Sequence, residues 1–116
     1  MKYFNDKEDF KGNMDKMDPK LLTMLDELRE EYGQPIILNS SYRSVSHPVE
    51  IVKSKPGEHT YGAAVDIKCA GGENTFNLVS AAIKVGFRRI GISRKSNFVH
   101  VGIGYPNAPE TTIWTY

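Results

Sequence analysis

The chain has 116 residues, 40% of them apolar, 25% charged and 10% aromatic, which describes one globular domain with an ordinary core. Fifteen Lys and Arg stand against 14 Asp and Glu, so no net field draws the chain to nucleic acid or a membrane surface. One cysteine, Cys69, excludes an internal disulfide framework and a Cys-rich zinc finger, and no apolar run approaches the roughly 18 residues a membrane-spanning helix needs.

Residues 1–17 are polar apart from Phe4, Phe10, Met14 and Met17, and are expected to form an irregular arm packed on the domain. Met1 to Asp9 turns acidic where an export signal would be apolar, so cytoplasmic synthesis without a signal peptide is expected. Asp18-Pro19 is an N-cap followed by proline at the first helical position. Leu21, Leu25, Leu28 and Tyr32 then form an amphipathic stripe, ended by Gly33 as a left-handed cap. Ile36-Ile37-Leu38 reads as a buried strand running out into polar Asn39-Ser40-Ser41-Tyr42.

Residues 43–61 form a long connection rich in proline and charge, a pattern associated with function in compact domains. Ala63 to Cys69 alternates as a strand. Gly71-Gly72 breaks it, and Asn74 is expected to cap a second helix through Phe76, Val79, Ala82 and Ile83, ended by Gly86. Residues 89–93 and 98–103 read as a hairpin, and the tail 104–116 as a clasp that sets Trp114 against the core. The order predicts one α+β domain: a small, mainly antiparallel sheet with two helices.

His59-Thr60-Tyr61-Gly62-Ala63-Ala64-Val65-Asp66 carries the chemistry. Val65 and Ile67 share one strand face and belong to the core, which leaves Asp66 on the other. Val99 and Val101 likewise leave His100 on the opposite face of the last hairpin strand. If the two strands are neighbours, Asp66 and His100 project together, and His59 returns to them around Gly62. Two imidazoles and a carboxylate with an open fourth position suit catalytic zinc. The bland alternative stays open for each residue alone: a hydrogen-bonded core histidine, a capping aspartate, a surface histidine.

H-x-x-G-x-A-x-D followed by Phe98-Val99-His100-Val101, with Ser40-Ser41-Tyr42-Arg43-Ser44 upstream, resembles the zinc D-Ala-D-Ala peptidase family. That family includes VanY-like carboxypeptidases and phage peptidoglycan endopeptidases, and hedgehog signalling domains share its type of fold and zinc site. The resemblance covers about residues 18–103. It implies that His59, Asp66 and His100 ligate zinc, and that Arg43 binds the scissile carbonyl oxygen or a substrate carboxylate. A zinc-activated water would attack a peptide bond in a peptidoglycan stem peptide, with the chain acting as a carboxypeptidase or an endolysin-type endopeptidase. The same cage without hydrolysis would make a zinc-binding recognition or virion-structural module.

The sequence departs from the family where the proton acceptor is expected. Many members place Glu or Asp three residues before the last histidine, where this chain has Asn97, and some place Asp two residues after it, where this chain has Gly102. Glu58 and His47 are the substitutes the sequence offers, each requiring the loop 44–58 to fold over the metal. Arg88, Arg89, Arg94 and Lys95 are read as a solvated basic hairpin, Cys69 as a small core residue, and Tyr61 and Tyr105 as packing or groove residues. A monomer without membrane insertion is expected, reaching the cell wall through a holin or in a virion.

Overall fold

The computed structural model describes residues 1–53 and 55–116. Asp18 starts the first long helix as expected, its side chain accepting from Lys20 N–H at 2.8 Å. In chain order the elements are α1 (Asp6–Asp9), α2 (Pro19–Tyr32), β1 (Leu38–Ser40), α3 (Pro48–Ile51), β2 (Ala64–Lys68), α4 (Gly72–Val85), β3 (Arg89–Ser93), β4 (Phe98–Gly102) and β5 (Thr112–Thr115). Two 3-10 turns, Met14–Lys16 and Glu58–Tyr61, complete them. The five strands form one sheet in the order β1-β2-β4-β3-β5, antiparallel except for the β3–β5 pair. The fold is α+β.

Strand alternation divides the sheet as the sequence suggests. Val65, Ile67, Val99 and Val101 are buried with Leu21, Leu25 and Leu28 of α2 and Leu78 of α4 in one core. Burying each of these large side chains contributes roughly 1.5–3 kcal/mol. The register sets Asp66 directly opposite His100, and this pair lies on the sheet face away from the core valines.

Several local expectations are corrected. β1 begins only at Leu38: Ile36 enters the core, Ile37 is exposed, and an irregularity between Leu38 and Ser40 shifts the register. The 1–17 arm is ordered by α1 and a 3-10 turn rather than irregular, with Phe10 fully buried. Asn74 does not cap α4; the helix starts at Gly72, and Asn74 donates back to the Ala70 carbonyl at 3.1 Å. That helix buries Thr75, Leu78, Ala81 and Ala82 and leaves Phe76 and Ile83 exposed. Two apolar stripes compete there, and the one with small alanines allows closer packing. The tail is a fifth strand, and its Trp114 sits over Gly91 beside His100 instead of against the core.

Gly62 shows why the motif needs a glycine. Its φ is 64°, and a Cβ there would overlap the Lys16 carbonyl of the N-terminal arm. The arm is fastened at this point by Asp18 N–H donating to the Gly62 carbonyl at 2.9 Å.

Candidate metal centre

Three elements deliver the three donors. β2 presents Asp66, β4 presents His100, and the 3-10 turn Glu58–Tyr61 returns His59 to the same face. All three are buried. One donor atom from each lies within 4.8 Å of the others. His59 Nε2 is 3.3 Å and His100 Nδ1 3.1 Å from Asp66 Oδ1, with the two rings edge to face at 5.0 Å between centroids.

The other nitrogen of each ring shows which one carries hydrogen. His59 Nδ1 lies 2.7 Å from the Ser41 carbonyl, and His100 Nε2 lies 2.7 Å from Glu58 Oε1. Both partners accept, so these nitrogens donate; His59 Nε2 and His100 Nδ1 face Asp66 Oδ1 and are the atoms that would bind a metal in place of those contacts. Zinc bonds of about 2.0–2.1 Å imply tetrahedral donor separations of roughly 3.3 Å, close to the two distances seen. The donor set therefore fits zinc, which His59, Asp66 and His100 would hold.

Charge is balanced tightly around them. Burial opposes ionisation of Asp66, but hydrogen bonds from His100 and His59 outweigh it and hold the carboxyl well below its usual range. Glu58 is lowered in the same way, against burial, by His100, the Gly104 N–H and Arg89. Burial disfavours the charged His100 ring, yet Asp66 and Glu58 raise its pKa above the ordinary imidazole value.

Arg43 reaches the centre from the end of β1. Its Nη2 donates to Asp66 Oδ2 at 3.3 Å and its Nη1 to Glu50 Oε2 at 3.2 Å, while its backbone N–H donates to the His59 carbonyl at 3.2 Å. Glu50, buried in α3, also accepts from Lys53 Nζ at 2.9 Å and Gly57 N–H at 2.8 Å. Burial works against its charge, but these donors prevail and bring its pKa down to about 2.

Arg43, Glu58, His59, Asp66 and His100 thus meet at one cleft of about 590 Å³. His47 does not join them: it is exposed and caps α3, its Nδ1 accepting from Val49 N–H at 3.1 Å. The cleft is also lined by Lys53 and Lys55 from the preceding loop, by Phe98 of β4, and by Trp114 and Tyr116 at the β5 edge. Ser54, within the loop expected to fold over the metal, lies outside the described residues.

The family model Peptidase M15 matches residues 4–102. The chain belongs to the peptidase M15 family. This is a family of zinc D-Ala-D-Ala peptidases, so membership supports a metallopeptidase, and the His-Asp-His cluster lies within the matched residues. No significant match was found among curated proteins.

Three residues of this M15 site escape sequence reasoning. Arg89 is a buried partner of Glu58, Nε to Oε2 at 3.0 Å, not part of a solvated basic face. Only its place at the start of β3, next to a glycine-containing run, distinguishes it from exposed Arg88, Arg94 and Lys95. Glu50 sits in the single-turn helix α3, too short to show periodicity. Trp114, whose ring centroid is 5.0 Å from that of His100, belongs to a strand too short to read. Cys69 is a buried free thiol at the core, as expected. Tyr61 and Tyr105 stack at 5.7 Å, and Tyr105 borders the cleft.

Proposed function

We propose that this chain is a zinc-dependent peptidase that cleaves a peptide bond in peptidoglycan stem peptides, as a carboxypeptidase or an endolysin-type endopeptidase. The observation that carries the reading is the His59-Asp66-His100 donor set, whose ligand atoms converge beside an open cleft with room for a fourth position. Zinc, when bound, supplies Lewis acidity to a peptide carbonyl and a water acidified to near neutrality. His59, Asp66 and His100 hold the metal, and their buried hydrogen-bond partners limit rearrangement during reaction. Arg43 orients the substrate carbonyl or a neighbouring carboxylate and stabilises negative charge there; its planar fork remains charged at any working pH. Lys53 and Lys55 add positive potential on the loop side, which suits the carboxylates of a stem peptide. Access to the wall through a holin or in a particle belongs to the same proposal.

One observation favours the second reading, a non-catalytic zinc module. The described carboxylates lining the cleft are Glu58 and Asp66, and both are already bonded. A site lacking a free proton acceptor loses the roughly 10²–10⁴ in rate that general base catalysis supplies.

Mass spectrometry of peptides released from purified peptidoglycan, with zinc and with chelator, separates the two. Zinc-dependent fragments support the peptidase and identify the bond. A zinc-loaded protein that releases nothing from several wall types supports the module.

A further inference from the structure

We infer that Glu58 is a positioning residue for the metal centre: seated against Gly102 and held by Arg89 and Gly104, it fixes the His100 ring with Nδ1 turned toward Asp66 and His59. The inference rests on the zinc reading of the site.

Glu58 precedes a proposed ligand, but its carboxylate approaches the centre from the far side of His100. Oε1 meets Nε2, the ring nitrogen that does not face Asp66. Oε2 accepts from Arg89 Nε at 3.0 Å and from the Gly104 N–H at 2.7 Å. Both oxygens are therefore committed. Arg89 is fixed in turn, its Nη1 donating to the Pro109 carbonyl at 2.6 Å and its guanidinium lying 5.3 Å from the ring centroids of Tyr105 and Trp114. A carboxylate with three donors, itself buried, is a rigid anchor.

The seat is built into β4. A Cβ at Gly102 would overlap the Glu58 carboxyl group, although the Gly102 backbone lies outside the left-handed region and accepts any residue. Glycine at 102 is needed for space, and the space is filled by Glu58. Glu58 and His100 lie 42 residues apart, so only the fold brings them together. A carboxylate on the distal nitrogen fixes the ring's orientation and raises its basicity as a ligand. Trp114 restrains the same ring from the β5 side, its own ring lying where a Cβ on Gly91 would be.

The test measures zinc affinity by competition with a chromophoric chelator for wild type, Glu58→Gln and Gly102→Ala, with circular dichroism to verify folding. Glu58→Gln removes the charge and sets an amide N–H against either the His100 Nε2–H or the Arg89 and Gly104 donors. Gly102→Ala keeps the carboxylate but evicts it. Both variants are expected to bind zinc about 10–100-fold more weakly. In zinc-loaded wild type, long-range ¹⁵N–¹H correlation spectra should show His100 with hydrogen on Nε2 and metal on Nδ1. The reverse pattern overturns the assignment even if neither variant folds. So does zinc affinity within about twofold of wild type in a folded variant; if Glu58→Gln also loses turnover, Glu58 belongs to proton transfer instead. A wild-type protein that takes up no zinc overturns the functional reading, and this assignment falls with it.

Discussion

Arg43 joins two carboxylates that have no sequence proximity, donating to Asp66 Oδ2 at 3.3 Å and to Glu50 Oε2 at 3.2 Å. Glu50 thereby holds one arm of the guanidinium while the other reaches Asp66, the proposed metal ligand. The clamp aims the remaining N–H groups without consuming them, since a guanidinium carries five.

Arg43→Ala is expected to lower kcat/KM by about 10²-fold while zinc remains bound, because Arg43 stabilises charge and donates no ligand atom. Arg43→Lys should recover little, since an ammonium cannot span Glu50 and Asp66 with a planar fork. Steady-state kinetics alongside zinc analysis checks both. Full activity in Arg43→Ala would remove it from the chemistry.

Glu50 makes stability depend on acid. Its folded pKa of about 2 lies below the ordinary value of 4.5, so its contribution is complete above about pH 4.5 and is lost as pH falls toward 2. The contribution is of order 2 kcal/mol. Urea unfolding of metal-free wild type and Glu50→Gln should therefore differ at pH 6 and converge near pH 2. A constant difference across that range would contradict the assignment.

Gly62→Ala should destabilise the fold by about 2 kcal/mol, combining left-handed backbone with a clash against the Lys16 carbonyl. The loss should appear equally in metal-free protein, because it arises at the arm rather than at the ligands. Denaturant midpoints of wild type and variant measure it.

Chelation should lower the melting temperature, since zinc binds the folded chain; saturation at a thousand times Kd corresponds to about 4 kcal/mol. Trp114 is the only tryptophan and lies beside His100, so its emission should change as metal binds. Paramagnetic Co(II) should quench it, and Trp114→Phe should abolish the signal without abolishing binding.

What the sequence reveals follows the range of the interactions. The strand faces of Val65/Asp66 and Val99/His100 are local, set by period-two alternation, and the register puts Asp66 and His100 side by side as that alternation implies. Asp18-Pro19 and Gly33 marked α2 through cap chemistry confined to a few residues. The Glu58–Arg89 and Glu58–His100 pairs span 31 and 42 residues and leave no periodic trace. Arg89 therefore looked like its exposed neighbours. Periodicity alone does not decide the inner face of α4, because Phe76 and Ile83 form as regular a stripe as the smaller residues that pack. β5 leaves no strand signature in the sequence because it is short and adds to a sheet edge formed elsewhere in the chain.

Isothermal titration of zinc into metal-free wild type and Asp66→Ala tests the central claim most directly. One zinc per chain in wild type, with loss of the site in a folded Asp66→Ala protein, is the predicted result. No uptake by wild type, or equal uptake by both proteins, would contradict a metal centre built on His59, Asp66 and His100.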